Sequence, residues 1–340
     1  MKNRVVVTLV ALFFWAPLTL ADDDIGIFET ILKSSVSFAE TNAALQQAIA
    51  DSEFQLQATH DVRVPENKHQ ARLYVLTSPA YATAAAAESP RTVSAQLLRV
   101  AVFTTGDEQK TVVNMANPVP HAMVFYADSS RYDALVSAAN NVADELRQLM
   151  ASVPGTQVSI QSAPLRTAKK YRSFNGDGPA KMMAKFRSWS ESQLPLLEAR
   201  ADEFEAIVEK VVARLQAAPV GDADDSTGWE IVSQIRLRDD AVHLGITNPF
   251  IEDKMIRINS RFRSDGKSDS SPYPGVDHVA ALPTDVLIVK EGDQTLVLHY
   301  GQMWRMQLYF WDSGYRAFTA NVGVPGTIVD SIEGAVQADQ

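Results

Sequence analysis

Histidine and aspartate are the side chains of this sequence with the best claim to chemistry. The chain has no cysteine, so disulfides, thiolate metal sites and thiol nucleophiles are excluded together. Imidazole and thioether are the softer donors that remain. His278 and His299, with His243, Met303 and Met306 as companions, would suit a transition metal or haem. Their spacing lends little support: the six histidines are scattered, no pair is spaced i,i+4, and neither His-x-His nor His-Glu-x-x-His occurs. His299 is in phase with Val297 on an expected strand, where a half-buried packing role is the simpler reading. Asp128 and Asp312 occupy equivalent places in two similar stretches and could share acid–base work. Each also follows an aromatic run and precedes an expected helix, where an aspartate caps free amides. No cofactor is specified by these residues, and no catalytic set is assigned.

The other candidates are for binding. Lys254, Arg257, Arg261 and Arg263 form a basic run in an acidic chain, and could dock an anion. The plain alternative is a helix end whose cations answer the C-terminal dipole. Trp304, Tyr309, Phe310, Trp311 and Tyr315 could wall a pocket for a small apolar molecule or simply fill a core. Arg257, Arg261, His299, Trp304 and Trp311 are therefore the candidate ligand-binding set. Asp222, Asp224, Asp225 and Ser226 fail as a calcium loop, because the glycine falls at Gly228 and the last ligand position is Ser233. Gly176-Asp177-Gly178 lacks the third glycine of a dinucleotide loop, and no Walker or Gly-x-Ser-x-Gly motif is present.

The elements that must position these residues occur twice. Aligned without a gap, residues 111–130 fall on 295–314, matching Thr111 with Thr295, Val113 with Val297, Asp128 with Asp312 and Ser129 with Ser313. Each copy is preceded by an apolar run and Gly-Asp, at Gly106 and Gly292. An internal duplication accounts for both. In the first copy we expect a strand at 25–35, a helix from the Ser37–Glu40 capping box to about Ser52, and strands at 54–64 and 72–77. A short helix at 81–88, strands at 96–104, 110–116 and 123–126, and a helix at 131–150 complete it. The second copy repeats the order: strand 181–189, helix from the Ser190–Gln193 capping pattern, or from Pro195, to about Gln216, strands 229–237 and 241–247, then helix 251–259. Strands 285–289, 296–300 and 306–310 and helix 325–336 follow. Residues 22–155 and 181–340 are the two expected domains, with a linker at 156–180, an edge strand at 157–161 and an inserted loop at 261–275.

Each copy has a strand ending in Xaa-Pro, Ser78-Pro79 and Asn248-Pro249, then a short helix and paired strands around an acidic-glycine turn. Leu282-Pro283 opens the pair in the second copy. This pattern resembles the domain of unknown function 302 family. The resemblance implies an α+β fold, two similar β-α-β(4)-α domains in tandem with antiparallel sheets and helices on one face. Family members are single domains that can pair, so both copies in one chain would make a pseudo-dimer. The cysteines often found beside the family's motifs are missing, and no activity is implied.

Composition bounds the partners. The chain of 340 residues carries a net charge of −10, which repels nucleic acid and anionic lipid. A small molecule or a protein is the expected partner of a non-catalytic binding or interaction module. The alternative is a metal- or cofactor-dependent enzyme using His278 and His299. Residues 1–21 have the form of a secretory signal: Lys2 and Arg4, an apolar run from Val5 to Ala16, and Thr19-Leu20-Ala21 before an aspartate run. A soluble periplasmic or secreted protein without a membrane segment is expected once it is removed. The expected outcome is a mature chain beginning at Asp22; N-terminal sequencing of the exported product checks this, and retention of Met1–Ala21 would instead make the segment an anchor.

Overall fold

Ser37 and Glu40 form the capping box their spacing predicts, with Glu40 N donating to Ser37 Oγ at 3.3 Å and Ser37 N to Glu40 Oε2 at 3.0 Å. They start helix α1 (Phe38–Ala50), whose Leu45, Ala48 and Ile49 are buried against a sheet. The computed structural model describes residues 24–64, 69–106, 108–162, 166–176, 193–220, 227–258 and 275–337, with the side chains of residues 194 and 314–316 undescribed. The expected signal, the loop at 261–274, the basic residues Arg261 and Arg263, the side chain of Tyr315 and the strand at 181–189 lie outside what is described.

The first half holds strands β1 (Phe28–Ser34), β2 (Gln55–Asp61), β3 (Ala71–Thr77), β4 (Leu98–Thr105), β5 (Lys110–Ala116) and β6 (Gly155–Gln161) in one antiparallel sheet. Their order is β2-β3-β4-β5-β1-β6. The second half holds β7 (Gln193–Arg200), β8 (Glu230–Arg238), β9 (Ala241–Thr247), β10 (Thr284–Glu291) and β11 (Gln294–Tyr300), ordered β7-β11-β10-β9-β8. Read from the other edge, this is the first sheet without β6. The duplication extends to irregularities. Ladder register slips between Thr30 and Leu32 in β1 and between Pro195 and Leu197 in β7, and again between Leu56 and Ala58 in β2 and between Ile231 and Ser233 in β8. Gly106 and Gly292 both turn their hairpins with positive φ, 68° and 62°, a conformation that glycine enters without a Cβ clash.

Alternation along the strands sorts residues to two cores. Val286 and Ile288 of β10 and Val297 of β11 pack beneath α6 (Phe204–Ala217) and the terminal helix α10 (Val324–Gln337). Leu287, Val289, Leu296 and Leu298 point the other way and join the core of the first half. Each sheet thus has helices on one face and the other half of the molecule on the opposite face. The contact is reciprocal: the 3-10 segment Pro90–Gln96 lies on β9 and β10, while Val276–Ala281 lies on β3, β4 and β5. That is the geometry of an approximate two-fold dimer within one chain.

Three expectations fail for identifiable reasons. The strands expected at 123–126 and 306–310 are helices, α3 (Pro118–Phe125) and α8 (Gln302–Phe310). Every residue of α3 is buried, so no polar face marks a helical period; its start is set by Pro118 and by Asn117, whose Oδ1 accepts from Val119 N at 3.1 Å. The helix expected from Ser190 starts only at Phe204, because Gln193–Arg200 pairs with β11. Pro195, which has no amide to give, sits in that edge strand, where its loss is tolerated.

The edge strand expected near 157–161 forms as β6, carrying the first sheet into the stretch expected as linker. The remaining helices among the described residues are α2 (Pro79–Ala85), α4 (Tyr132–Leu149), α5 (Ala168–Arg172), α7 (Pro249–Arg257) and α9 (Gly314–Ala320). Among the described residues no helix is long and apolar enough to cross a membrane.

At one end of the seam His60 of β2 reaches the second half. Its Nε2 lies 2.6 Å from Glu252 Oε1 and its Nδ1 3.3 Å from Glu230 Oε1. Glu252 is buried and also accepts from Arg63 N at 2.7 Å and Thr247 Oγ1 at 2.9 Å. Burial disfavours the His60 proton, but the Glu252 hydrogen bond and the charges of Glu252, Glu230 and Asp61 outweigh it, raising the pKa above the usual 6.5. A raised folded value means that the stability is complete below 6.5 and is lost as pH rises through the folded pKa. Thermal melts from pH 5.5 to 8.5 are expected to show the wild type losing stability relative to His60→Gln as pH rises; parallel curves would show that His60 carries no such linkage.

Candidate functional site

Where the halves meet, polar side chains interrupt apolar strands. Arg99 is the second residue of β4 and Asp285 the second of β10; the duplication makes these one position. His121 and Arg305 are likewise the fourth residues of α3 and α8. All four are buried. Asp285 Oδ1 lies 2.6 Å from His243 Nε2. Arg99 donates to Ala281 O at 3.3 Å and to the Tyr309 hydroxyl at 3.1 Å, and His121 Nε2 lies 2.6 Å from the same hydroxyl. Arg305 donates to the carbonyls of Ala281 and Pro283.

The electrostatics are mutually dependent. Burial alone would raise Asp285, yet the His243 hydrogen bond and the positive charges of Arg99 and Arg305 hold it down at about 2. Burial, with Arg99 alongside, pushes His121 well below its ordinary value, so it is neutral at pH 7. Burial raises the Tyr309 phenol despite the neighbouring Arg99. This centre ties the halves together by charge and hydrogen bonds.

A concavity opens at the rim of the same seam. It encloses about 330 Å³ between Ser89–Thr92, the C-terminal end of α3, Tyr171–Phe174 and Gln193 at the start of β7. Phe125 and Phe174 form an apolar wall, backed by the buried indole of Trp304, whose ring meets them edge-on at 6.1 and 5.8 Å. Cations at the lip are engaged: Arg91 forms a two-pronged pair with Glu291, and Arg172 lies 4.0 Å over the Tyr132 ring and donates to Ala127 O. Arg166, from the expected linker, is buried beneath and donates to Gln307 O and Leu308 O.

The residues expected from sequence do not converge. Among the described members of the candidate binding set, only Trp304 touches this cleft's wall, from behind. Arg257 is exposed and paired with Asp253 at 2.7 Å. Trp311 packs against Phe318 beside Met303 and Met306. His278 and His299 cannot share a metal, because the second sheet separates them. His299 points with Val297 toward α10, where Glu333 Oε1 stands 3.9 Å off, and burial lowers its pKa to about 4. His278 faces the seam, with Phe28 and Phe310 against its ring.

Asp312 is not the expected cap: it is buried, with Oδ2 2.8 Å from His278 Nε2. Asp128 is exposed at the cleft, and the amide of Arg131 is taken by Ser129 Oγ. Motif reasoning misses Arg99, Asp285 and His121; the signal for the first two is a charge within each apolar strand, at matching distance from the turn glycine, and His121 in α3 has none.

The fold and seam define a fused pair of similar α+β domains. Residues 30–153 match the family described as Domain of unknown function DUF302, so the first half of the chain is similar to that family over this stretch. The crystal structure of the uncharacterized conserved protein DUF302 from Bacillus stearothermophilus is similar at 13% identity, over 37% of this chain and 98% of its own, with a TM-score of 0.31. No curated protein matches.

Removing the Asp285 carboxylate leaves two buried guanidinium groups without a counter-charge. Asp285→Asn is expected to cost about 3–5 kcal/mol in denaturant unfolding, with part recovered when Arg99 is also replaced by methionine. The depressed folded pKa places the stabilisation above the ordinary 3.8 and removes it as pH falls toward 2. An Asp285→Asn chain as stable as wild type at pH 7 and equally acid-sensitive would rule this out.

Proposed function

We propose that the chain is a non-catalytic binding module, exported by its N-terminal leader, that holds a small molecule in the cleft at the rim of the seam. The cleft itself carries this reading. At about 330 Å³ it falls at the small end of ligand pockets, which are mostly apolar with a few directing polar groups. Phe125 and Phe174 supply the apolar wall, while Glu88, Asp128 and Gln193 supply polar lining. Because the lip cations are already paired or stacked, the favoured ligand has an aromatic or aliphatic body and one polar end. Phosphate-rich partners are disfavoured by the acidic chain. The site is built mainly by the first half and the connecting stretch, with Gln193 at the start of β7 the contribution of the second half to its lining.

Anilinonaphthalene sulfonate, an aromatic body with one polar end, is a direct probe. The folded chain is expected to take up one equivalent, detected by fluorescence and by a raised melting temperature. Ala127→Trp fills the half-buried lip beside Phe125 and is expected to weaken binding by about tenfold or more, a change of roughly 1.4 kcal/mol per factor of ten, with the melt of the free protein unchanged. Equal uptake by wild type and variant would place binding elsewhere.

A further inference from the structure

We propose that Asp277, His278 and Asp312 are the ligands of a divalent transition-metal ion. One ligand atom from each lies within 4.8 Å of the others. Bonds of about 2.0–2.2 Å to nitrogen and oxygen would close that triangle around one cation with small side-chain adjustments. Two elements supply the set: Asp277 and His278 come from the 3-10 segment on the first sheet, and Asp312 from the turn after α8.

Proximity is joined by two independent observations. Asp312 is only 5% exposed, yet its Oδ1 has no hydrogen-bond partner. A buried carboxylate oxygen left this way bears an uncompensated desolvation cost, and an ion is one of the partners that restores it. The second observation is the orientation of the imidazole. His278 Nδ1 lies 3.1 Å from Ile258 O; a carbonyl only accepts, so Nδ1 carries the hydrogen. Such a bond is the usual outer support of a metal-bound histidine and presents Nε2 as the ligand atom. Nε2 faces Asp312 Oδ2 at 2.8 Å, a contact between two acceptors unless a proton or a cation lies between them. Glycine at 275 allows this arrangement, since a Cβ there would lie 2.9 Å from Nδ1.

Charge points the same way. The set brings two carboxylates to one point, whose charge a divalent cation would cancel, and Phe28 and Phe310 flank the imidazole. One nitrogen and two oxygens suit zinc or manganese, and three protein ligands leave a position open. Asn114 Nδ2 donates to Asp277 O at 2.8 Å, fixing this segment from the first sheet. The site is separate from the cleft and does not depend on it.

The test is calorimetric titration of the chelator-stripped full chain with zinc chloride, repeated with manganese chloride. One ion per chain is expected, with affinity reduced about tenfold or more by His278→Gln or Asp312→Asn, and reduced also by the more exposed Asp277→Asn. No uptake by the wild type, or variants binding as tightly as wild type, overturns the proposal. If the buried variants fail to fold, crystals of the wild type grown with zinc decide the matter: anomalous density bonded to all three side chains supports it, and density only on other carboxylates or histidines defeats it.

Discussion

The seam depends on a charge placed opposite its complement at one duplicated position. A symmetric dimer presents the same residue from both partners at equivalent places, so a buried arginine near the axis would meet an arginine. Fusion into one chain removes that limit. Arg99 on β4 and Asp285 on β10 occupy equivalent positions and carry opposite charges, and His121 and Arg305 diverge in the same manner. Buried ion pairs add little net stability over a hydrophobic replacement, but a buried charge without its partner is costly. Pairing the halves with shifted register or in reversed order would strip Arg99 of its partners Ala281 O, the Tyr309 hydroxyl and the Asp285 charge, while Asp285 keeps His243 within its own half. The centre therefore selects one arrangement of two otherwise similar sheets.

Other contacts reinforce that selection from the edges. Each half lays a 3-10 segment on the other's sheet. Arg91 pairs with Glu291, Arg238 donates to the carbonyls of Ala86 and Glu88, and His60 meets Glu252. Arg166 turns the connecting stretch into part of the seam through the α8 carbonyls. Most of these bonds run to backbone carbonyls or to partly covered carboxylates, so they position the halves more than they stabilise them. Apolar burial between the sheets, from Leu287, Val289, Leu296 and Leu298 against the first core, stabilises the pairing more than these bonds do.

Much of this order is legible in the residues, and the exceptions share a cause. Capping boxes, turn glycines and Xaa-Pro steps report local backbone chemistry, so α1, the hairpin turns and the starts of α2 and α7 read directly. Helices α3 and α8 do not, because tertiary burial covers almost all their surface and erases the polar stripe that marks a helix. Strand β7 was hidden by Leu197 and Ala201, whose spacing suits a helix although pairing with β11 decides otherwise. Asp312 was unreadable for a different reason: the local sequence that favours a cap is the same whether the carboxylate stays at the helix end or turns inward to His278. Only the fold brings that histidine to it.

The duplication also relates the two candidate sites. Counting back from the turn glycines, Arg91 and Thr92 take the places of Asp277 and His278, while Asp128 aligns with Asp312. Arg91, Thr92 and Asp128 line the cleft; their counterparts form the Asp-His-Asp cluster. Both sites thus lie where a 3-10 segment passes the end of a buried helix, a locus that the fold offers twice. In the first half that locus is open: Asp128 is exposed and Arg91 is drawn to Glu291. In the second half Phe28 and Phe310 pack on His278, and Asp312 lies buried against it. Two substitutions at equivalent positions, with the packing they entail and one aspartate kept in common, are enough to turn a solvent-facing cleft into a buried ligand set, which only a chain holding both copies could keep side by side.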